Sequence, residues 1–379
     1  METLYPGGAE MFVLRLASTL STRHEVILFR VYPEAVNDAL VARHPGLFTL
    51  AWPQVPFDKL WRKIDRAIRL ASIDFSFREL WARRSLKRLI NTFKPDVIHS
   101  NQIKVDYLMA QVVEHKAFVI TLHGDYKTFG EMTASNRSIL NIDRKLETIA
   151  SKRPAFVYIS ETQRAYIESK NLGATSLTKI YNGYPNVTVQ ANRGNVFTFG
   201  MIARGIEEKG WQIAIDAFLK VHEQFPDTQL LLAGDSDYIQ SLQSKYSSHQ
   251  NIRFAGQVSD PVTWISQLHV GLLPSYYSSE SLPTSVIEYL LAGIPVLASN
   301  AGEIEQMITT PEGPAGKAFR IHQNNSDAEA LAVEMKKYLT DNHLYQQHCE
   351  RAREAFKKFD MQTCVEAYEN LYRTELSKR

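Results

Sequence analysis

The segment Ser275-Tyr276-Tyr277-Ser278-Ser279-Glu280-Ser281-Leu282-Pro283-Thr284-Ser285-Val286-Ile287-Glu288, continued by Tyr289-Leu290-Leu291-Ala292-Gly293-Ile294-Pro295-Val296, decides how this 379-residue chain is read. Pro283 suits a first helical turn, because its fixed φ matches a helix and the N–H it lacks would have no partner there. Val286, Ile287, Leu290 and Leu291 then recur at helical spacing, and Gly293-Ile294-Pro295 stops the helix before the apolar run Val296–Ala298. A turn, a helix, a glycine stop and a buried strand in that order make one step of a parallel α/β sheet. Two glutamates stand eight residues apart, Glu280 before the helix and Glu288 within it.

Outward from this segment the same alternation repeats. Short apolar runs occur at Glu25–Val31, Val97–His99, Phe118–Leu122, Phe156–Ile159, Phe197–Met201, Gln229–Leu232 and Val270–Leu273, with amphipathic stretches such as Trp211–Phe225 between them. The pattern predicts βαβ units around parallel sheets. The chain is about twice the usual domain length, so two domains are expected. The polar interval Pro185–Asn195 places the boundary: an N-terminal domain over 1–185, a second over 196–358, and a last helix over 359–379 that returns to the first domain. Only Met1–Tyr5 precede Gly7-Gly8, which predicts a shortened first strand.

Composition narrows the function classes. Residues 1–185 carry 26 Lys/Arg against 18 Asp/Glu and residues 186–379 carry 17 against 23, so the first half is expected to meet something anionic. No RNA-binding signature, zinc spacing or basic helix repeat accompanies this excess, which argues against nucleic acid. Two cysteines, Cys349 and Cys364, are too few for a disulfide framework, and no apolar run reaches membrane-spanning length. A cytoplasmic location, at most peripheral to the inner face of the plasma membrane, is expected. Residues 57–90 mix Phe57, Trp61, Phe75, Phe77 and Trp81 with ten Lys/Arg. They suit either an interfacial helix pair on a lipid surface or an amphipathic pair that packs its aromatics into the domain.

Four motifs carry chemistry. The N–H groups of Thr284 and Ser285 open the positive end of the helix, a natural anion site, and carboxylates on either side of a bound phosphate suit the hydroxyls of a nucleoside diphosphate sugar. Phe199-Gly200-Met201-Ile202-Ala203-Arg204-Gly205-Ile206-Glu207-Glu208-Lys209-Gly210 ends a strand and presents two cations, Arg204 and Lys209, able to neutralise a leaving diphosphate. Pro6-Gly7-Gly8-Ala9-Glu10 opens a helix where backbone approaches a phosphate closely. Val119-Ile120-Thr121-Leu122-His123-Gly124 puts His123 at a strand's C-terminal edge, where open α/β sheets bind ligands. Asp235-Ser236-Asp237 has a metal-binding spacing but follows an ordinary strand-to-turn, Leu230-Leu231-Leu232-Ala233-Gly234. No Gly-x-Gly-x-x-Gly follows an early strand, which argues against a dinucleotide-dependent dehydrogenase.

The run from Glu280 through Glu288 to Val296 resembles the signature of the retaining glycosyltransferases of family four, and residues 199–210 are similar to that family's Gly-Arg-Leu-x-x-x-Lys-Gly turn, with Ala203 and Gly205 replacing its Gly and Leu. The resemblance implies the GT-B fold, two Rossmann-like domains with parallel sheets facing across an interdomain cleft. It also implies roles. Glu288 would bind the ribose and Glu280 the transferred sugar, with backbone N–H groups of Ser281, Leu282, Thr284 and Ser285 on sugar or phosphate. Arg204 and Lys209 would hold the diphosphate, Gly7 and Gly8 would close over it, and His123 would orient the donor sugar. The expected reaction moves a hexose or N-acetylhexosamine from a nucleoside diphosphate sugar to a glycan or lipid-linked acceptor with retention, needing neither metal nor other cofactor, in surface polysaccharide or lipopolysaccharide biosynthesis. A nucleotide-sugar 2-epimerase of the same fold and a non-catalytic donor-binding protein are the alternatives.

Overall fold

The computed structural model describes residues 7–32, 48–71, 73–114, 117–123, 142–171, 173–174 and 176–378. The chain divides into two compact units, one formed by Met1–Tyr184 with Met361–Arg379 and the other by Pro185–Asp360. The residues expected to form a shortened first strand, Met1–Tyr5, lie outside the described residues.

In the first unit β1 (Ile27–Phe29) pairs in parallel with β2 (Thr49–Ala51). A second parallel sheet follows the order β3 (Val97–Ser100), β4 (Ala117–Thr121), β5 (Ala155–Tyr158), β6 (Ser176–Lys179). Each of β4 and β5 is buried along its whole length because both faces are covered, the usual state of a parallel sheet. Phe118, Ile120, Phe156 and Tyr158 point to one core. Val119, Ala155 and Val157 point to the other, where they meet Phe12 and Leu16 of the helix Gly8–Leu20 and Val365, Tyr368 and Leu371 of the helix Met361–Ser377. The last helix is therefore part of this unit's core. Hydroxyl chemistry pins it as well: Tyr372 bonds His99 Nδ1 at 2.8 Å, His99 Nε2 bonds Thr121 Oγ1 at 2.7 Å, and Thr121 bonds Tyr368 at 2.8 Å. The break before this helix falls at the 3-10 turn Lys357–Phe359, which follows the helix Asn342–Phe356. Cys349 and Cys364 are both free and buried.

The second unit is built on β7 (Phe197–Ile202), β8 (Thr228–Ala233), β9 (Ile252–Gly256), β10 (Val270–Leu273) and β11 (Val296–Ser299). A small antiparallel hairpin, β12 (Thr309–Thr310) with β13 (Gly313–Pro314), precedes β14 (Gly316–Phe319). The six-stranded sheet runs β14-β11-β10-β7-β8-β9, with every pairing parallel. That is the doubly wound order, in which the chain leaves β9 and returns beside β7 as β10. Phe199, Phe218, Trp211, Val270, Leu272 and Tyr289 are fully buried between sheet and helices.

The β7–β10 pairing is short. Val270 faces Phe199 and Gly271 faces Gly200, and beyond them the strands part. Tyr289, on the helix Thr284–Leu291, fills the opening: its hydroxyl accepts from Ile202 N–H at 2.9 Å and donates to Leu272 C=O at 3.2 Å. Its ring lies where a side chain on residue 271 would stand, so Gly271 is required there. Removing this hydroxyl leaves a buried donor and a buried acceptor without partners. Tyr289→Phe is accordingly predicted to lower stability by about 1–3 kcal/mol in urea denaturation, and a loss under about 0.5 kcal/mol would show that the strands need no such bridge.

Candidate active site

Open α/β sheets bind ligands outside the C-terminal ends of the strands at the point where the winding reverses. Here that point lies between β7 and β10. The turn after β7 carries Arg204, Gly205 and the 3-10 turn Glu207–Lys209, and the turn after β10 runs from Pro274 to Pro283. Gly210, at φ 83°, joins the 3-10 turn to the helix Trp211–His222, and a Cβ there would strike the carbonyl of Pro274. Only glycine allows both the left-handed conformation and this approach. Tyr276 N–H donates to Glu208 C=O at 2.8 Å, tying the two turns together.

The contact sets the site's central interaction. Lys209 Nζ meets Glu280 Oε2 at 2.6 Å, with the two side chains 8% and 7% exposed. Ser275 Oγ donates to the same oxygen at 2.8 Å and accepts from Tyr277 N–H at 3.3 Å. The Tyr277 ring lies under both cations, with Arg204 Cζ and Lys209 Nζ each 5.1 Å from its centroid. Arg204 is exposed, and its carbonyl accepts from Trp211 Nε1 at 3.1 Å. Of the two cations that the sequence reading put in this turn, Lys209 is paired with Glu280 and Arg204 is the exposed one. The glutamates are also not solvent-facing: Glu288 is 7% exposed on the same helix that carries Tyr289.

That helix begins at Pro283, which has no side chain able to cap it, so the first-turn N–H groups of Thr284 and Ser285 are left to a ligand or solvent. Ser281 is half-buried and Leu282 is buried. Ser281 C=O accepts from Glu303 N–H at 2.8 Å, and Gly302 stands against the carbonyls of Glu280 and Ser281. The residues that residue-by-residue reading missed are therefore Ser275, Tyr277, Tyr289 and Glu303. A buried serine ahead of the glutamate and an aromatic between two turns were the available signals. Asp235 and Asp237 are exposed, and Ser236 between them caps the helix Asp237–Lys245 and donates to Gly205 C=O at 2.6 Å. No group of three His, Cys, Asp or Glu fit to hold a metal ion occurs among the described residues.

In the first unit, Gly7 caps the helix Gly8–Leu20 with extended backbone, and Gly8 is exposed as its first residue. The Glu10 carboxylate lies over Gly7, and Gln102 Nε2 donates to it at 3.0 Å. Phe12 of this helix packs on the His123 ring at 5.3 Å, so glycine turn and histidine share one corner. His123 Nε2 bonds Asn101 Oδ1 at 3.0 Å, which makes Nε2 the protonated nitrogen, and buried Nδ1 has no partner among the described residues. Burial lowers its pKa from 6.5 to about 3, so the ring is a neutral hydrogen-bonding group. Gly124 lies outside the described residues.

The Lys209–Glu280 pair makes a sharp energetic prediction. Lys209→Met strands a buried carboxylate and should cost about 3–5 kcal/mol of stability. Adding Glu280→Gln removes that charge and should restore most of the loss. A double variant no more stable than Lys209→Met in urea denaturation would contradict the pairing.

Comparison with known proteins matches both units. Residues 6–185 match the family model described as Glycosyltransferase Family 4, and residues 187–358 match that described as Glycosyl transferases group 1. An uncharacterized glycosyltransferase of Methanocaldococcus jannaschii is 25% identical over 262 residues, 62% of this chain and 64% of that one. The phosphatidyl-myo-inositol mannosyltransferase of Mycobacterium tuberculosis is 26% identical over 170 residues, 44% of each chain. These alignments span less than two thirds of either relative. Among solved structures, a glycosyltransferase from Rickettsia africae superposes with a TM-score of 0.74 at 18% identity, covering 100% of this chain and 98% of that one. Anabaena HepE in complex with UDP and glucose gives 0.71 at 17% identity, covering 98% and 97%. The chain belongs to the family 4 glycosyltransferases and has their GT-B fold of two Rossmann-like units.

Proposed function

We propose that this protein transfers a hexose or N-acetylhexosamine from a nucleoside diphosphate sugar to a glycan or lipid-linked acceptor, with retention and without a metal. The observation that carries the reading is the buried Lys209–Glu280 pair at the winding reversal, with Arg204 and an uncapped helix start beside it. A diphosphate arriving there competes with Glu280 for Lys209 and meets Arg204 and the N–H groups of Thr284 and Ser285. Glu280, released from the lysine, then accepts hydrogen bonds from hydroxyls of the transferred sugar, while Glu288 takes those of the ribose. The named ligands of Anabaena HepE, UDP and glucose, and the acceptor named for the mycobacterial mannosyltransferases support this class of donor and acceptor.

The chemistry follows from the charges. The acceptor oxygen bonds the anomeric carbon on the face from which the diphosphate oxygen departs, and the departing oxygen takes the acceptor proton. Arg204 and Lys209 stabilise the negative charge that grows on the leaving group, the task a divalent metal performs in other transferases. Assembly of a surface polysaccharide or lipopolysaccharide is the proposed setting.

The test is a screen of UDP-, GDP-, ADP- and dTDP-sugars by thermal shift with EDTA present, followed by transfer assays. Donor at a hundred times its dissociation constant should stabilise the protein by about 2.7 kcal/mol, and Glu288→Ala should abolish the response. Arg204→Ala and Lys209→Ala should each slow transfer about a hundredfold. A loss under about threefold, dependence on added metal, or epimerised donor formed without any acceptor would overturn the reading.

A further inference from the structure

The basic, aromatic region of the first unit lies outside the donor chemistry. Six of the ten exposed large hydrophobics among the described residues fall within residues 52–75, among them Phe57 at 80%, Leu60 at 53%, Leu70 at 72% and Ile73 at 54%. The helix Asp58–Leu70 sorts its side chains into three rows. Trp61 and Asp65 turn inward, where Trp61 stacks on Phe77 at 4.4 Å. Leu60, Ile64 and Ala67, spaced i, i+4, i+7, form an apolar stripe that is exposed at Leu60 and Ala67. Lys59, Lys63 and Arg66, at the same spacing one residue earlier, form an exposed cationic row beside it. None of these three cations makes an ion pair among the described residues.

The acids of the region all point elsewhere. Asp58 binds Arg62 at 3.1 Å and Arg78 at 2.8 Å, and Asp74 binds Lys145 at 2.7 Å. Asp65 accepts from Ser76 Oγ at 2.6 Å and from Phe77 N–H at 2.8 Å, fixing the start of the helix Phe77–Phe93. The outward face is left apolar and positive. At its edge Phe57 holds φ at 55°, an unfavourable conformation for an aromatic residue, while its ring stays in solvent. Strain spent on exposing a phenyl ring makes sense where that ring has an apolar medium to enter.

We infer that the helix Asp58–Leu70 docks this protein on an anionic lipid bilayer, lying in the interface plane with Phe57 and Leu60 in the acyl boundary and Lys59, Lys63 and Arg66 among the headgroups. Within residues 57–90 the aromatics divide: Trp61 and Phe77 stack on each other, and Phe57 faces solvent. Docking does not rest on the proposed donor, because it is measured without donor or acceptor.

The full chain is to be sedimented with vesicles of phosphatidylcholine and of an equimolar mixture with phosphatidylglycerol, at low and high salt. Binding should need the anionic lipid and weaken as salt rises. The triple variant Lys59→Glu/Lys63→Glu/Arg66→Glu should lose about a hundredfold in partitioning. Phe57→Ser/Leu60→Ser should lose at least about tenfold by removing the inserted surface. All five positions are exposed, so thermal unfolding of the variants should match the parent. Equal binding to neutral vesicles, unchanged binding by both variants, or self-association that Leu60→Ser abolishes would overturn the inference, the last by showing that a second copy covers the stripe.

Discussion

The parting of β7 from β10 beyond Gly200 and Gly271 is the constraint on which the candidate site depends. Two neighbouring strands that diverge must leave backbone groups without ladder partners, and in a buried sheet those groups need others. Tyr289 supplies them with one hydroxyl, and it can do so because Gly271 gives its ring room. Tyr289 sits one residue after Glu288 on an eight-residue helix, so the bridge that closes the sheet also fixes the helix start near the site. Gly210 then lets the turn after β7 approach Pro274, which brings Lys209 within 2.6 Å of Glu280. Fold and charge arrangement are thus consequences of one packing problem at the winding reversal.

A buried ion pair contributes little to stability by itself, because desolvating both charges offsets most of their attraction. Its value here is poise. Lys209 and Glu280 hold each other, with Ser275 on the carboxylate and Tyr277 under the ammonium, in the geometry a polar ligand can enter by exchange. Arg204, which lies over the same tyrosine ring, is the exposed cation of the two. The corner around His123 is organised differently: burial keeps the imidazole neutral and Asn101 fixes its tautomer, which suits a group that orients a hydroxyl.

Much of this was legible in the sequence. Alternating apolar runs announced two parallel α/β units, and Pro283 with Gly293-Ile294-Pro295 bracketed the helix that the structure places at Thr284–Leu291. The motif residues Arg204, Lys209, Glu280 and Glu288 were named from spacing and resemblance. Their mutual arrangement was not, because Lys209 and Glu280 are separated by 71 positions and no local pattern states that one neutralises the other. Tyr289 read as one more apolar residue of a helix, since nothing local tells a core tyrosine from one whose hydroxyl bridges two strands. The rows of the helix Asp58–Leu70 could be drawn from its sequence. Which row faces inward was decided by Trp61 on Phe77 and by Asp65 at the next helix start, both tertiary facts.

Exchange at the Lys209–Glu280 pair is tested most directly by a crystal structure of the protein with a nucleoside diphosphate sugar bound. In that complex the diphosphate should lie at the C-terminal ends of β7 and β10, with Lys209 Nζ withdrawn from Glu280 onto a phosphate oxygen and the Glu280 carboxylate on sugar hydroxyls. A diphosphate seated elsewhere, or a ligand bound there with the Lys209–Glu280 pair intact, would contradict it.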